Sequence, residues 1–340
     1  MKLSNSTVIL STVILSMLSP SAFAISEKNY QSDYSAKISP LIQKMKEGTF
    51  DGAEGVKIHY RTLNSPSAQN CLVILPGRTE PIEKYAEVVY DLLQTPTGKN
   101  MDYYLMDHRG QGQSGRMANP SDMGHIDKFE NYVKDVETFV KLQNLDKRCE
   151  HKFLLAHSMG AGIGTAVLLR NPKMFEKAVL GSPMLKIQTK PYSYLTARSI
   201  VQAMVAAGKG AKFAIGQKPF DGTGKFEDNT FTTSPERFKM AMGMFEAYPK
   251  TKVGGVSNRW ILEIMKGTNP LRSRYHEIST PMIVINAGIE SYSEPAEMAE
   301  FCKQAPNCKH VFLKSSKHEV FMDRDENRNV AVGELVEFFR

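Results

Sequence analysis

From residue 57 to residue 313 the chain repeats one pattern: a short, continuous apolar run followed by a stretch whose apolar residues recur at helical spacing. The segments read as strands are residues 57–63, 71–75, 102–106, 152–156, 177–180, 281–287 and 309–313. Between them, residues 129–145 bring Tyr132, Val136, Phe139 and Val140 onto one face of a helix. A strand that is apolar along its whole length has no face to offer water. Such strands belong to a mostly parallel sheet covered on both sides by helices. The pattern therefore predicts an α/β fold.

The alternation stops between residues 185 and 275. This stretch lacks an obvious buried strand and is rich in Met and aromatic residues. It contains a helix start at Ser234, where an N-cap serine precedes Pro235. Its 15 Lys and Arg against 6 Asp and Glu exceed the +7 of the whole chain, so the basic character is concentrated there. Both a single domain carrying an insertion and two domains fit the length.

Residues 1–24 read as a secretory signal peptide: Lys2, the apolar run 7–18, and Ala22 and Ala24 at the spacing of an A-x-A cleavage site. The run is shorter than the ~20 residues a membrane-spanning helix needs. Cleavage after Ala24 leaves residues 25–340 as an exported protein, periplasmic or secreted, with peripheral membrane association a further reading. In an oxidising compartment the four cysteines can pair. Cys71 and Cys149 each sit just before an apolar strand, and Cys302 lies near Cys308; two bridges and four free thiols both fit.

Two glycine-rich segments compete for a functional role. Residues 110–115, GQGQSG, satisfy G-x-G-x-x-G after a strand, but a turn sequence follows instead of the helix that a dinucleotide phosphate requires. The segment FLLAHSMGAGIGTAVLLRNP has strand, tight turn and helix in the order a nucleophile elbow needs, with Ser158 at the turn and Ala156 where G-x-S-x-G has its first glycine. The bland alternative is a serine capping a buried helix. In a nucleophile–acid–histidine order, His276 precedes its strand and His310 lies within one, whereas His318 follows a strand and has the right polarity. Glu290 lies three residues past the strand PMIVINA and is the acid that can orient His318; Glu294, at the start of the next helix, is the alternative. The oxyanion donors expected are the backbone N–H groups of Met159 and of Arg78, in the loop LPGRTEP.

The segments LPGRTEPIEKYAEVVYDL, MDHRGQGQSGR, LLAHSMGAGIGT, INAGIESYSEPAEMAEFC and LKSSKHEVFMDRDENR, with VGGVSNRW inside the insertion, resemble the successive motifs of bacterial lysophospholipases and the related monoacylglycerol lipases of the α/β-hydrolase superfamily. The resemblance runs from about Val56 to the C-terminus. It implies an eight-stranded, mostly parallel sheet flanked by helices, with a mainly helical cap inserted after the sixth strand. The catalytic domain would comprise residues 25–184 and 276–340, and the cap residues 185–275.

By the same resemblance Ser158 is the nucleophile, Glu290 the acid, His318 the base, and Arg78 and Met159 form the oxyanion hole. Neither cofactor nor metal is implied. The family tolerates alanine at the position of Ala156, whereas a cleavable leader is unexpected in it.

The reaction expected is hydrolysis of a lysophospholipid acyl ester through an acyl-enzyme, with the Arg78 side chain as a head-group ligand. A monoacylglycerol lipase, a general carboxylesterase or a peptidase would use the same machinery. The basic cap suggests contact with an anionic membrane surface. A binding protein on a hydrolase scaffold is the non-enzymatic alternative. Without a nucleic-acid-binding motif or a basic tail, no nucleic acid partner is expected.

Overall fold

The structure, a computed structural model, describes residues 24–222 and 224–340. The expected leader up to residue 23, with its apolar run and Ala22 of the A-x-A motif, lies outside the described residues. The strands are β1 (Lys46–Asp51), β2 (Lys57–Leu63), β3 (Asn70–Leu75), β4 (Met101–Met106), β5 (His151–His157), β6 (Lys177–Gly181), β7 (Met282–Ile289) and β8 (Cys308–Lys317). The longer helices are α1 (Ala86–Leu93), α2 (Phe129–Leu142), α3 (Ser158–Arg170), α4 (Tyr194–Ala206), α5 (Pro235–Ala247), α6 (Asn258–Thr268), α7 (Pro295–Gln304) and α8 (Asp325–Phe338).

The strands form one sheet in the order β1-β2-β4-β3-β5-β6-β7-β8. The ladders from β4 to β8 are parallel, while β1 pairs with β2 and β2 with β4 antiparallel. This is the α/β-hydrolase fold, with a helical cap inserted between β6 and β7.

The central strands feed two cores at once. Val73, Leu75, Leu154 and Ala156 face α2 and α3, while Leu72, Ile74, Phe153 and Leu155 face α1 and α8. Each fully buried Leu, Ile or Val contributes about 1.5–3 kcal/mol. A one-residue slip would exchange the two sets, so both cores hold the register. The chain leaves β3 toward β4 on one side, and β5 returns to the other side of β3. That reversal opens a crevice at the carboxyl ends of β3 and β5, where open α/β sheets place their ligands.

Some elements differ from the sequence expectation. β1, with sequence KEGTFD, has one buried residue, Phe50, and no apolar run to announce it. It is a strand because β2 offers it a free edge. Helix α2 stops at Leu142 instead of continuing to 145, because Asn144 adopts a left-handed φ of 56°. No helix among the described residues is long and apolar enough to cross a membrane.

The cysteines are paired as Cys71–Cys149 and Cys302–Cys308. Parallel pairing of β3 and β5 sets Cys71 opposite Lys152, which brings Cys149 to the same sheet end. The Cys71–Cys149 bridge spans 78 residues. In the chain-entropy model, closing a loop of that size stabilises the fold by roughly 4 kcal/mol. The double substitution Cys71→Ser, Cys149→Ser should lower the unfolding free energy by about that amount in a denaturant titration of the oxidised protein. Thiol titration of the unreduced, unfolded wild type should find no free thiol.

Candidate active site

Ser158 stands where β5 meets α3 and has a φ of 49°, a left-handed conformation that a non-glycine residue adopts only when its surroundings impose it. The constraint is visible two residues on. A Cβ on Gly160 would lie 2.3 Å from the Leu75 carbonyl oxygen and 2.4 Å from that of Pro76, so the first turn of α3 presses directly against the end of β3. Only glycine permits this approach. Ala156 is fully buried beneath the turn, and the β-carbon envisaged at Gly164 would stand 3.7 Å from its methyl group. The position of the first glycine in G-x-S-x-G thus accepts a methyl group.

The structure brings Ser158, His318 and Glu290 together. The Ser158 hydroxyl lies 2.8 Å from His318 Nε2, and His318 Nδ1 donates to Glu290 Oε2 at 2.7 Å. The other Glu290 oxygen accepts from the amides of Tyr292 and Ser293 at 2.7 and 3.2 Å. Burial acts to raise the Glu290 carboxyl, but the His318 hydrogen bond and these amides outweigh it and hold the pKa below the ordinary value. Glu294 takes no part and is the N-cap residue of α7.

A second cluster, to which no sequence motif points, lies directly beneath these three residues. His157 Nδ1 lies 2.8 Å from Glu80 Oε1, and its Nε2 lies 3.0 Å from the His318 carbonyl oxygen. Both ring nitrogens face acceptors, so His157 is satisfied only as the imidazolium. Although burial works against the charge, Glu80 raises the His157 pKa above its usual value. Ser182 also donates to the His318 carbonyl, at 2.8 Å, so two donors pin the backbone of His318. Glu80 further accepts from Gly77 N–H at 2.8 Å and Tyr85 O–H at 2.6 Å, tying the LPGRTEP loop to the same cluster. The available signals were the histidine next to Ser158 and the acid in that loop; neither spacing matches a known motif.

The GQGQSG segment has a local structural task. It wraps the buried Asp107, whose carboxylate accepts from Gln113 N–H at 2.9 Å, and a Cβ on Gly112 would collide with Asp107 at 2.0 Å. From this turn Gln111 Oε1 accepts from Thr79 N–H at 2.8 Å, which fixes the neighbour of Arg78.

Above Ser158 lies a cavity of about 520 Å³ between the catalytic domain and the cap. Met184 and Ile187 line one wall, and Phe238, Met242 and Phe245 of α5 another. Tyr248, the C-cap residue of α5, is not among the lining residues. Arg78 also lines the cavity, its Nη1 donating to the Gly254 carbonyl of the cap at 2.7 Å. Met159, on the first turn of α3, is fully buried.

The geometry sets a pH dependence. Burial lowers the His318 pKa below 6.5 and the His157 charge lowers it further, while Glu290 opposes both. As a base toward Ser158, His318 would work in its neutral form, so a lowered pKa would extend activity toward acid; the acid limb of kcat/KM for an ester should lie below pH 6.5. His157→Gln keeps a donor for the His318 carbonyl but removes the charge. A pH–rate profile of that variant should show the acid limb displaced toward higher pH.

The family model described as serine aminopeptidase, S33, matches residues 66–325. The chain is 27% identical over 305 residues to lysophospholipase L2 of Escherichia coli (strain K12), covering 86% of this chain and 87% of that protein. A soluble variant of monoglyceride lipase from Saccharomyces cerevisiae, solved with a substrate analog, superposes with a TM-score of 0.65 at 15% identity, covering 86% of this chain and 94% of that one. A thermostable carboxyl esterase from Bacillus coagulans gives a TM-score of 0.67 at 14% identity, over 86% and 97% of the two chains. At those identities the two structures speak to the fold alone. With the fold, the matched span and the Ser158–His318 contact in agreement, the chain belongs to the serine aminopeptidase S33 family of the α/β-hydrolase superfamily and is a serine hydrolase of the esterase type.

Proposed function

We propose that the protein hydrolyses the carboxylic ester of single-chain lipids, as a monoacylglycerol lipase or carboxylesterase does. The carrying observation is a cavity of about 520 Å³ that opens onto Ser158 and has an apolar wall of Phe238, Met242 and Phe245 from the cap. Its lining suits an acyl chain. In the proposed cycle His318 takes the Ser158 proton as the serine oxygen attacks the acyl carbonyl, and Glu290 steadies the resulting imidazolium. The oxyanion is assigned to the amides of Met159 and Arg78. The amides on either side of Arg78 are bonded to Glu80 and Gln111, which supports Arg78 N–H as the donor this loop offers. His318 then returns the proton to the leaving alcohol and activates the water that frees the fatty acid.

A lysophospholipid is the second reading, favoured by Arg78 and by the name of the Escherichia coli relative. Burial lowers the Arg78 pKa, and the titratable groups that bear on its charge are the phenols of Tyr292 and Tyr132, with no carboxylate among them. A phosphodiester would supply the missing countercharge. Export to an oxidising compartment is supported by the two disulfides. Peripheral membrane contact through the cap is supported by exposed Leu195 and Ile215, 72% and 62% accessible, on the same insertion as exposed Lys209, Lys212 and Lys218. The mature chain would then meet its lipid at a membrane surface, with the cap facing it.

A product assay on monoacylglycerols, lysophospholipids, diacyl phospholipids and short esters tests these readings. Ser158→Ala should lower kcat at least ~10⁴-fold on every accepted ester, with the circular dichroism spectrum unchanged. Undiminished turnover would dismiss the mechanism. Arg78→Ala should cost roughly tenfold or more in kcat/KM on lysophospholipid, the scale of a lost charge-assisted hydrogen bond, and little on monoacylglycerol. Equal losses on both would leave Arg78 no part in recognising the head group.

A further inference from the structure

Ile25 is only 3% accessible although it directly follows the A-x-A motif. Its backbone nitrogen lies 2.9 Å from Asp91 Oδ1 on α1, and its carbonyl accepts from Arg237 Nη2 of the cap at 3.0 Å. Asp91 is fully buried, and its second oxygen lies 2.6 Å from Arg328 Nη1 of α8. Glu87, one turn earlier on α1, faces Arg237 at 2.9 Å and Arg328 at 3.3 Å. Asp325 stands 3.0 Å from Arg237, and Glu27 stands 4.0 Å from it.

Four carboxylates, those of Glu27, Glu87, Asp91 and Asp325, thus surround the two guanidinium groups of Arg237 and Arg328. The cluster is short of positive charge where the chain nitrogen of Ile25 enters it. A peptide N–H meets Asp91 with one proton and no charge. Burial and the neighbouring Glu87 accordingly push the Asp91 carboxyl up to about 6, against the pull of Arg328.

We propose that the peptide bond between Ala24 and Ile25 is a maturation site, and that the ammonium group released at Ile25 forms a buried ion pair with Asp91 that locks the N-terminus and cap helix α5 onto the catalytic domain. The reaction is a hydrolysis by the signal peptidase of the exporting cell. Water supplies the oxygen that makes Ala24 a carboxylate, and the Ile25 nitrogen takes up protons to become an ammonium, as an α-amine of ordinary pKa near 8 does at neutral pH. The new charge lies at contact distance from Asp91, in a site where a charge pair is little screened. The two disulfides place an independent demand for the same export. The precursor lacks this pair, so the enzyme gains its full stability only once its leader is gone.

The test begins with the full chain, exported with its own leader. The intact mass of the product should correspond to a chain beginning at Ile25; any other start overturns the proposal. Two oxidised forms, beginning at Ile25 and at Phe23, are then each compared with their Asp91→Asn variants in denaturant. Asp91→Asn should lower the folding constant of the Ile25 form at least tenfold more than that of the extended form. Equal losses would show that Asp91 serves only its partners Arg328 and Ile25 N–H.

Because Asp91→Asn bears on a buried cluster and could prevent folding, the unsubstituted Ile25 form supplies a separate readout. Its α-amine should react with an acylating reagent at least tenfold more slowly in the native state than after unfolding. Labelling at the unfolded rate would overturn the ion pair.

Discussion

The left-handed turn at Ser158 is the constraint on which the rest of the site depends. It holds because β5 cannot shift in the middle of the sheet and α3 cannot back away from β3, where Gly160 touches the Leu75 and Pro76 carbonyls. Contacts on both sides over-determine the turn, which is how a strained backbone persists. The strain puts the serine oxygen at the crevice mouth, within reach of His318, and brings the first amides of α3 beside the Arg78 loop. A helix starting one residue later would keep every side chain and lose the arrangement.

The buried charges below and behind this turn perform two separate mechanical tasks. Glu80 and His157 join the LPGRTEP loop, the strand end before Ser158 and the backbone of His318, so the two loops on either side of Ser158 are tied together. Arg237, Arg328, Glu87 and Asp91 join α1, α8 and α5, and so bind the cap to the catalytic domain. Burying such groups is costly unless every one is paired, and a network once formed is costly to open. Arg237 therefore belongs to the scaffold, although in composition it counts toward the basic excess of the cap.

Much of the architecture was legible because it follows from burial. Strands β3, β5 and β6 announce themselves by continuous apolar runs, and the order of Ser158, Glu290 and His318 follows from which loops leave the carboxyl ends of parallel strands. β1 was not legible, since a polar edge strand needs only a partner and carries no periodicity of its own. The early end of α2 hung on a single left-handed residue, Asn144. His157 and Glu80 were present in quoted motifs, yet nothing in their spacing separates a structural pair from two unrelated polar residues.

What the sequence by itself determined is the class of fold and the order in which Ser158, an acid and His318 follow one another at strand ends, because apolar periodicity and strand polarity are local properties of the chain. The choice of Glu290 over Glu294, the pairing of the cysteines, the inward turn of Arg237 and the seating of Ile25 against Asp91 were decided only in three dimensions. Each depends on which of several polar groups, distant in the chain, meets its partner once the sheet is closed. Electrostatic complementarity between remote residues leaves no period in a sequence, and only packing reveals it.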